Sequence, residues 1–285
     1  MAVSDYSEPV AHLLSQGECS SHEVRSWLDY QSLGIRNTDI SSLIQMATDH
    51  DLYELDSEAP EGWAPVHAWR ALGQLRADAA VNPLLQHAIK YYDHEGWWEW
   101  MAMEFPRVFA QIGDAILPTL AAWVSDQTQA EWMRALPIEA LERLAKRSRD
   151  STGSIRQQCV EILSENLTQF ADNDPIVNAS LIGTLAKLGV MEAVPLMEQA
   201  FAAGSVDEKL FGDWDEIQVI LGLKSRAEVP RKPIDPQFLQ YLKALERQSF
   251  VPTGFGKPAL ESSKSNRKTK LKQQSESRRK NRKKK

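Results

Sequence analysis

Cysteine is scarce: the 285-residue chain has two, Cys19 and Cys159, 140 positions apart. They offer no disulfide framework and no ligand-spaced pair for zinc, so reduced thiols in a cytosol are the default. Long apolar runs are missing too. No segment approaches the roughly 18 consecutive apolar residues of a membrane span. The N-terminal "MAVSDYSEPVAHLL" also lacks the charged region and apolar stretch of a secretory signal. These two absences predict a cytoplasmic protein with no transmembrane segment. Sustained apolar–polar alternation with β-branched enrichment is absent, as are Asn-Gly and Asp-Gly hairpin turns, which argues against a sheet. No Ser-His-Asp order or phosphate-binding loop is visible. "GTLAKLG" (183–189) has two glycines but not the Gly-Lys-Ser/Thr ending that cradles phosphate.

Negative charge dominates everywhere except the C-terminus. Of 33 Lys/Arg and 39 Asp/Glu, residues 257–285 hold 13 and 2, a net of +11; residues 1–256 keep 20 and 37, a net of −17. Such a body repels nucleic acid and anionic membrane, whereas the tail attracts both.

What is present is helix punctuation. "SEPVAHLLSQG" offers Ser7 as cap, Pro9 in the first turn and Gly17 as a stop. "SSHEVRSWLDYQSLG" predicts a helix from Ser21 to Gly34, with Val24, Trp27 and Leu28 at helical spacing. "LPIEALERLAKRS" predicts a helix beginning at Pro137 with a basic last turn that suits the helix dipole. "NDPIVNASLIGTLAKLG" predicts one from Asp174 and Pro175 to Gly189, with Leu181, Leu185 and Leu188 on its buried side; "DPQFLQYLKALERQ" predicts another over about 236–248.

Three stretches share one plan. "ALGQLRADAAVNPLL" (71–85), "VFAQIGDAILPTL" (108–120) and "TLAKLGVMEAVPLM" (184–197) each run from a helix through a small turn into a second helix with a proline near its start: Pro83, Pro118 and Pro195. The gaps of 35 and 77 residues leave room for another unit over 137–170, joined at "SRDSTGS". A period of roughly 35–40 residues marks stacked helical hairpins, each unable to bury its apolar face alone. Arg76 stands where such turns often have glycine, which predicts an irregular first turn.

These residues resemble the HEAT-like repeat of the phycobilisome-lyase type, whose loose pattern is Ala-Leu-Gly-x-Leu, a turn, then Ala-Val-x-Pro-Leu. "PEGWAPVHAWRALGQL" also resembles bacterial HEAT-like proteins, several of which end in a cysteine-rich SEC-C motif; this chain ends "SRRKNRKKK", with no cysteine. The resemblance covers roughly 60–225. It implies an all-α fold, a HEAT-like α-solenoid with a concave and a convex face. The expected organisation is an N-terminal helical cap over 1–56, repeats over 57–223, a linker and C-terminal helix over 224–250, and a disordered basic tail over 251–285. The resemblance also implies a scaffold that binds a protein partner on one face. Its alternative is a lyase-like enzyme or subunit acting on a chromophore-bearing protein, although no residue maps to an established lyase site. Some HEAT-like proteins are DNA glycosylases, but an acidic body argues against duplex binding.

The densest aromatic segment is "HEGWWEWMAMEFPRVFAQIG" (94–113). Trp98, Ala102, Phe105, Phe109 and Ile112 follow 4-3-4-3 spacing and predict a buried stripe flanked by Trp97 and Met101. Trp100, Glu104 and Arg107 fall roughly opposite. Two readings stand: the tryptophans pack between neighbouring helices, or Trp100 anchors a partner, since Trp and Arg are enriched at interface hot spots. The second makes Trp97, Trp100, Glu104 and Arg107 the candidate partner-binding residues. His87, Asp93, His94 and Glu95 are close in sequence, but the histidines are seven apart, not at a paired-ligand spacing; no metal and no cofactor are expected. His67 reads as a hydrogen-bonded packing residue. The acidic clusters Glu54/Asp56/Glu58/Glu61 and Asp207/Glu208/Asp213/Asp215/Glu216 read as solvated helix starts.

Residues 264–285 hold 12 Lys/Arg, one Glu and no aromatic residue. This composition predicts an electrostatic tether for RNA, the ribosome or another polyanion rather than a sequence reader. Arg278, Arg279, Lys280, Arg282, Lys283, Lys284 and Lys285 are the candidate polyanion-binding residues. A solubilising tail, or one folded back on the acidic body, is the alternative.

Overall fold

Asp174 opens its helix as its sequence predicts. Its carboxylate accepts from the Ile176 N–H at 2.8 Å, Pro175 fills the first turn, and Gly189 follows the helix at φ +68°. The same local chemistry recurs through the computed structural model, which describes residues 6–19, 21–55, 58–93, 96–147 and 153–229. Among these residues there is no strand. The helices are α1 (Ile40–Ala47), α2 (His50–Tyr53), α3 (Ala64–Gln74), α4 (Val81–Lys90), α5 (Trp97–Ile112) and α6 (Leu117–Ser125). They continue with α7 (Glu131–Arg147), α8 (Ser154–Leu167), α9 (Pro175–Lys187), α10 (Val194–Ala202), α11 (Glu208–Phe211) and α12 (Trp214–Ile220).

The three related stretches fold alike. In α3–α4, α5–α6 and α9–α10 the first helix runs into a residue with positive φ: Arg76 (56°), Gly113 (107°) and Gly189 (68°). A 3₁₀ turn follows in each, Asp78–Ala80, Asp114–Ile116 and Met191–Ala193, and the proline-bearing helix comes next. The irregular turn expected at Arg76 is not found. The arginine adopts the conformation glycine would supply, at a cost of about 1–2 kcal/mol that the surrounding packing offsets.

Packing runs from neighbour to neighbour: α1 lies on α3, α3 on α5, α5 on α7 and α7 on α9, with α11 and α12 against α9. Trp63, Trp69, Trp97, Phe105 and Phe109 are fully buried along this row. Leu181, Leu185 and Leu188 lie inside, as their spacing predicts, each contributing about 1.5–3 kcal/mol. Glu142 on α7 joins two helices, accepting from Lys146 at 2.7 Å and from Lys187 of α9 at 3.3 Å.

Three expected elements differ. The helix expected to be capped by Ser7 is a 3₁₀ helix, Val10–Ser15, that follows Pro9 with no side-chain cap. The helix predicted over 21–34 is a single 3₁₀ turn, Val24–Ser26, because side chains of α3 take its backbone groups instead. Tyr30 N–H donates to Gln74 Oε1 at 3.1 Å, Gln74 Nε2 donates to the Leu28 carbonyl at 2.7 Å, and Arg70 donates to the Ser21 carbonyl at 2.6 Å. The helix predicted to begin at Pro137 begins at Glu131, with Pro137 inside it. The ring removes one helical hydrogen bond, but Met133, Leu136, Ile138 and Leu141 are all buried, and that burial keeps the turns continuous. The segment expected as a C-terminal helix and the basic tail fall outside the described residues.

Candidate functional site

Helix α5 carries all four expected partner-binding residues, and it is rotated from the predicted stripe. Trp97, Trp100, Met101, Glu104, Phe105, Val108 and Ile112 face inward, while Trp98 and Ala102 are only partly buried. Trp100 is 5% exposed; its ring lies 4.4 Å from His22 and 5.2 Å from Trp63, centroid to centroid. Trp97, 1% exposed, donates from its indole to the Tyr53 carbonyl at 3.0 Å. Glu104 is wholly buried. Three of the four are therefore packing residues, and the exposed tryptophan anchor is withdrawn: the His22 and Trp63 rings pack against Trp100 and leave it 5% exposed.

Glu104 is the centre of a polar cluster. It accepts from Arg70 Nη2 at 2.7 Å, from Arg70 Nε at 3.2 Å and from His22 Nδ1 at 2.7 Å. Arg70 also lies over the Trp27 ring, 5.1 Å from its centroid. A buried carboxylate survives only with such partners. Beside it, Cys19 Sγ is 3.4 Å from His67 Nε2. His67 Nε2 donates to the Gly17 carbonyl at 2.9 Å, which leaves Nδ1 to accept from the Tyr30 hydroxyl at 2.8 Å. His67 is thus the hydrogen-bonded packing residue expected. Burial pushes the Cys19 thiol up to about 12 and His67 down to about 4. Both are neutral, the opposite of the thiolate–imidazolium pair a cysteine nucleophile needs. This cluster fastens residues 17–30 to α3 and α5.

The fourth expected residue, Arg107, lies elsewhere. It is half-buried and lines a groove of about 840 Å³ between α5, α7 and α9. Its Nη1 donates to the Met103 carbonyl of its own helix. Burial first, and then the neighbouring charge of Arg143, lowers its pKa. The α7 wall is a stripe at helical spacing: Glu139, Glu142, Arg143, Lys146 and Arg147. Arg143 pairs with Glu139 at 2.6 Å. From α9 comes Lys187, its ammonium 4.6 Å from the centroid of the Phe211 ring. Gly183 lets that ring approach: a Cβ there would meet Phe211 Cδ2 at 2.5 Å. Trp98 and Trp132 complete the apolar lining, and Trp132 is 37% exposed.

Among the described residues the groove lining holds five cations, Arg107, Arg143, Lys146, Arg147 and Lys187, and two carboxylates, in a body that is otherwise acidic. Except for Arg107, sequence reasoning missed it. The signal available was the α7 stripe, whose basic end was assigned to the helix dipole.

Several other expected features are placed by the fold. Asp207 and Asp213 cap α11 and α12, accepting from Lys209 N–H and Glu216 N–H. His87 is buried among Tyr53 and Tyr91, and burial takes it down to about 4. His94 and Glu95 lie outside the described residues, as do Arg278, Arg279, Lys280, Arg282, Lys283, Lys284 and Lys285. Among the described residues no single helix is long and apolar enough to cross a membrane.

Comparison with protein-family models, with curated proteins and with solved structures finds no match.

Proposed function

We propose that the chain is a HEAT-like scaffold of stacked helical hairpins that binds a protein partner along the groove of α5, α7 and α9, while its basic C-terminal segment contacts a polyanion such as RNA or the ribosome. The observation that carries the reading is the groove itself. Elsewhere the large aromatic side chains of α5 are buried, yet Trp132 of α7, which lines the same groove as Arg107 and Arg143, stays 37% exposed. Tryptophan and arginine, both in the lining of this concavity, are among the residues enriched at interface hot spots. The shared hairpin plan and neighbour-to-neighbour packing support the repeat assignment.

A photo-crosslinking amino acid in place of Trp132, and separately in place of Met191, which is 44% exposed in the α9–α10 turn and does not line the groove, tests the partner face in the full chain. A discrete heavier adduct from position 132 and none from 191 is expected; equal labelling from both sites refutes the groove as the partner face. For the tail, binding to single-stranded RNA should weaken with salt. If about six basic residues engage phosphates, log affinity falls with log salt at a slope of roughly −4. Replacing Arg278, Arg279, Lys280 and Arg282 with alanine in the full chain should flatten that slope for all sequences alike.

A further inference from the structure

We infer that the ligand of this groove is a short peptide segment bearing one or two carboxylates beside a large apolar side chain. The inference rests on the scaffold reading above and names the chemistry of its partner.

The charges argue first. Both carboxylates of the groove are already engaged: Glu139 by Arg143 at 2.6 Å, and Glu142 by Lys146 at 2.7 Å and Lys187 at 3.3 Å. Arg107 has no carboxylate within ion-pairing distance among the described residues; its one bond goes to the Met103 carbonyl. It stands half-buried near a second guanidinium; burial and then Arg143 oppose its charge, and the carboxylates of Glu104 and Glu139, beyond ion-pairing distance, offset this only in part. An incoming carboxylate relieves both penalties. Arginine is also the residue whose planar fork best matches a carboxylate.

The walls supply the rest of the specificity. Trp98, Trp132 and Phe211 are rings, and Leu210 and Leu136 are aliphatic, so a purely ionic ligand would leave most of the lining unused. A volume of about 840 Å³ holds a few side chains, within the range of drug-sized sites.

The surroundings select a peptide over a nucleic acid. An extended polyanion must leave the groove at both ends and cross a body with a net charge of −17, where each further phosphate is repelled. A segment with only one or two carboxylates confines its charge to the five cations. The positive patch is local, and so is the ligand that fits it.

Panning a random peptide library on the immobilised full chain tests this. The enriched peptides are then labelled and titrated against the parent protein, Arg107→Glu, Arg107→Gln, Arg107→Lys and Trp132→Ala. Peptides carrying Asp or Glu next to Phe, Trp or Leu are expected. Arg107→Glu and Arg107→Gln should weaken them about tenfold or more, the size of one charge-assisted hydrogen bond, with Arg107→Lys recovering part of the loss. Thermal midpoints of the variants confirm that each remains folded. If Trp132→Ala weakens binding but the Arg107 variants do not, or if the enriched peptides lack acids, the acidic-peptide inference fails while the groove remains the partner face. If neither position matters, or if no peptide is enriched, both readings fall. Poly-uridine that competes through Arg107 when the four tail residues are alanine would make the groove a nucleic-acid site and overturn the inference as well.

Discussion

Arg70 and Arg107 are both arginines on packed helices, and Glu104 lies one turn from Arg107 on α5, yet they belong to different kinds of region. Around Glu104 every charge has a partner: Arg70 gives it two hydrogen bonds, His22 a third, and water is excluded. In the groove the two carboxylates among the described residues are engaged by Arg143, Lys146 and Lys187, and Arg107 has none within ion-pairing distance. The first arrangement holds the fold together; the second leaves binding capacity unspent. What separates them is depth and the count of opposite charges within reach, not residue type.

Removing Glu104 should break the contrast most severely. Glu104→Ala leaves the Arg70 guanidinium buried and unpaired, and a loss of about 3–5 kcal/mol is expected from urea unfolding. A loss below about 1 kcal/mol would mean that water reaches the cluster and that it does not fasten the fold.

Acid should act on the same buried region next. The His67 pKa is held down at about 4 from its ordinary 6.5, first by burial, so the folded protein excludes a proton that the unfolded chain accepts. Its contribution is intact above pH 6.5 and is lost as pH falls from 6.5 toward 4, by about 3 kcal/mol in all. His87, also near 4 through burial, acts in the same direction. Stability measured across that window should therefore fall steeply, and His67→Gln should flatten about half of the slope. An unchanged slope in His67→Gln would show that the imidazole titrates alike in the folded and unfolded chain and that burial does not exclude its proton.

The smallest effect belongs to the groove. Arg107→Ala removes a cation with no carboxylate within ion-pairing distance among the described residues, so stability should change by less than about 0.5 kcal/mol, whereas binding of the proposed acidic peptide should weaken about tenfold. A loss comparable to that of Glu104→Ala would place Arg107 with the structural charges and erase the distinction.

Much of the helical fold was legible in the sequence because its signals are local. Asp174 with Pro175, the glycines at 113 and 189, and the 3-residue and 4-residue spacing of Leu181, Leu185 and Leu188 each act within a turn or two. Residues 21–34 were misread because their backbone partners, Gln74 and Arg70, sit more than 40 residues away and leave no trace in helical spacing. The α5 stripe was turned because three tryptophans within four residues make every face apolar; only partners distant in sequence, Tyr53 and Trp69 for Trp97 and His22 and Trp63 for Trp100, select these two as buried. Glu104 looked like a surface carboxylate for the same reason, since Arg70 is 34 residues distant. The groove was hidden because its charges come from three helices, and α7 alone reads as a solvated one.

The fastening of residues 17–30 also has a kinetic side. Most helix contacts join neighbours in the chain, but the His22–Glu104 bond closes 82 residues and the Arg70–Ser21 bond closes 49. Such closures gain nothing until both ends are in place, so they form after the local hairpins have assembled. The N-terminal segment is then the last part of the described fold to be secured. A ribosome that has released only the first hundred residues holds a protein whose Arg70 still waits for its carboxylate.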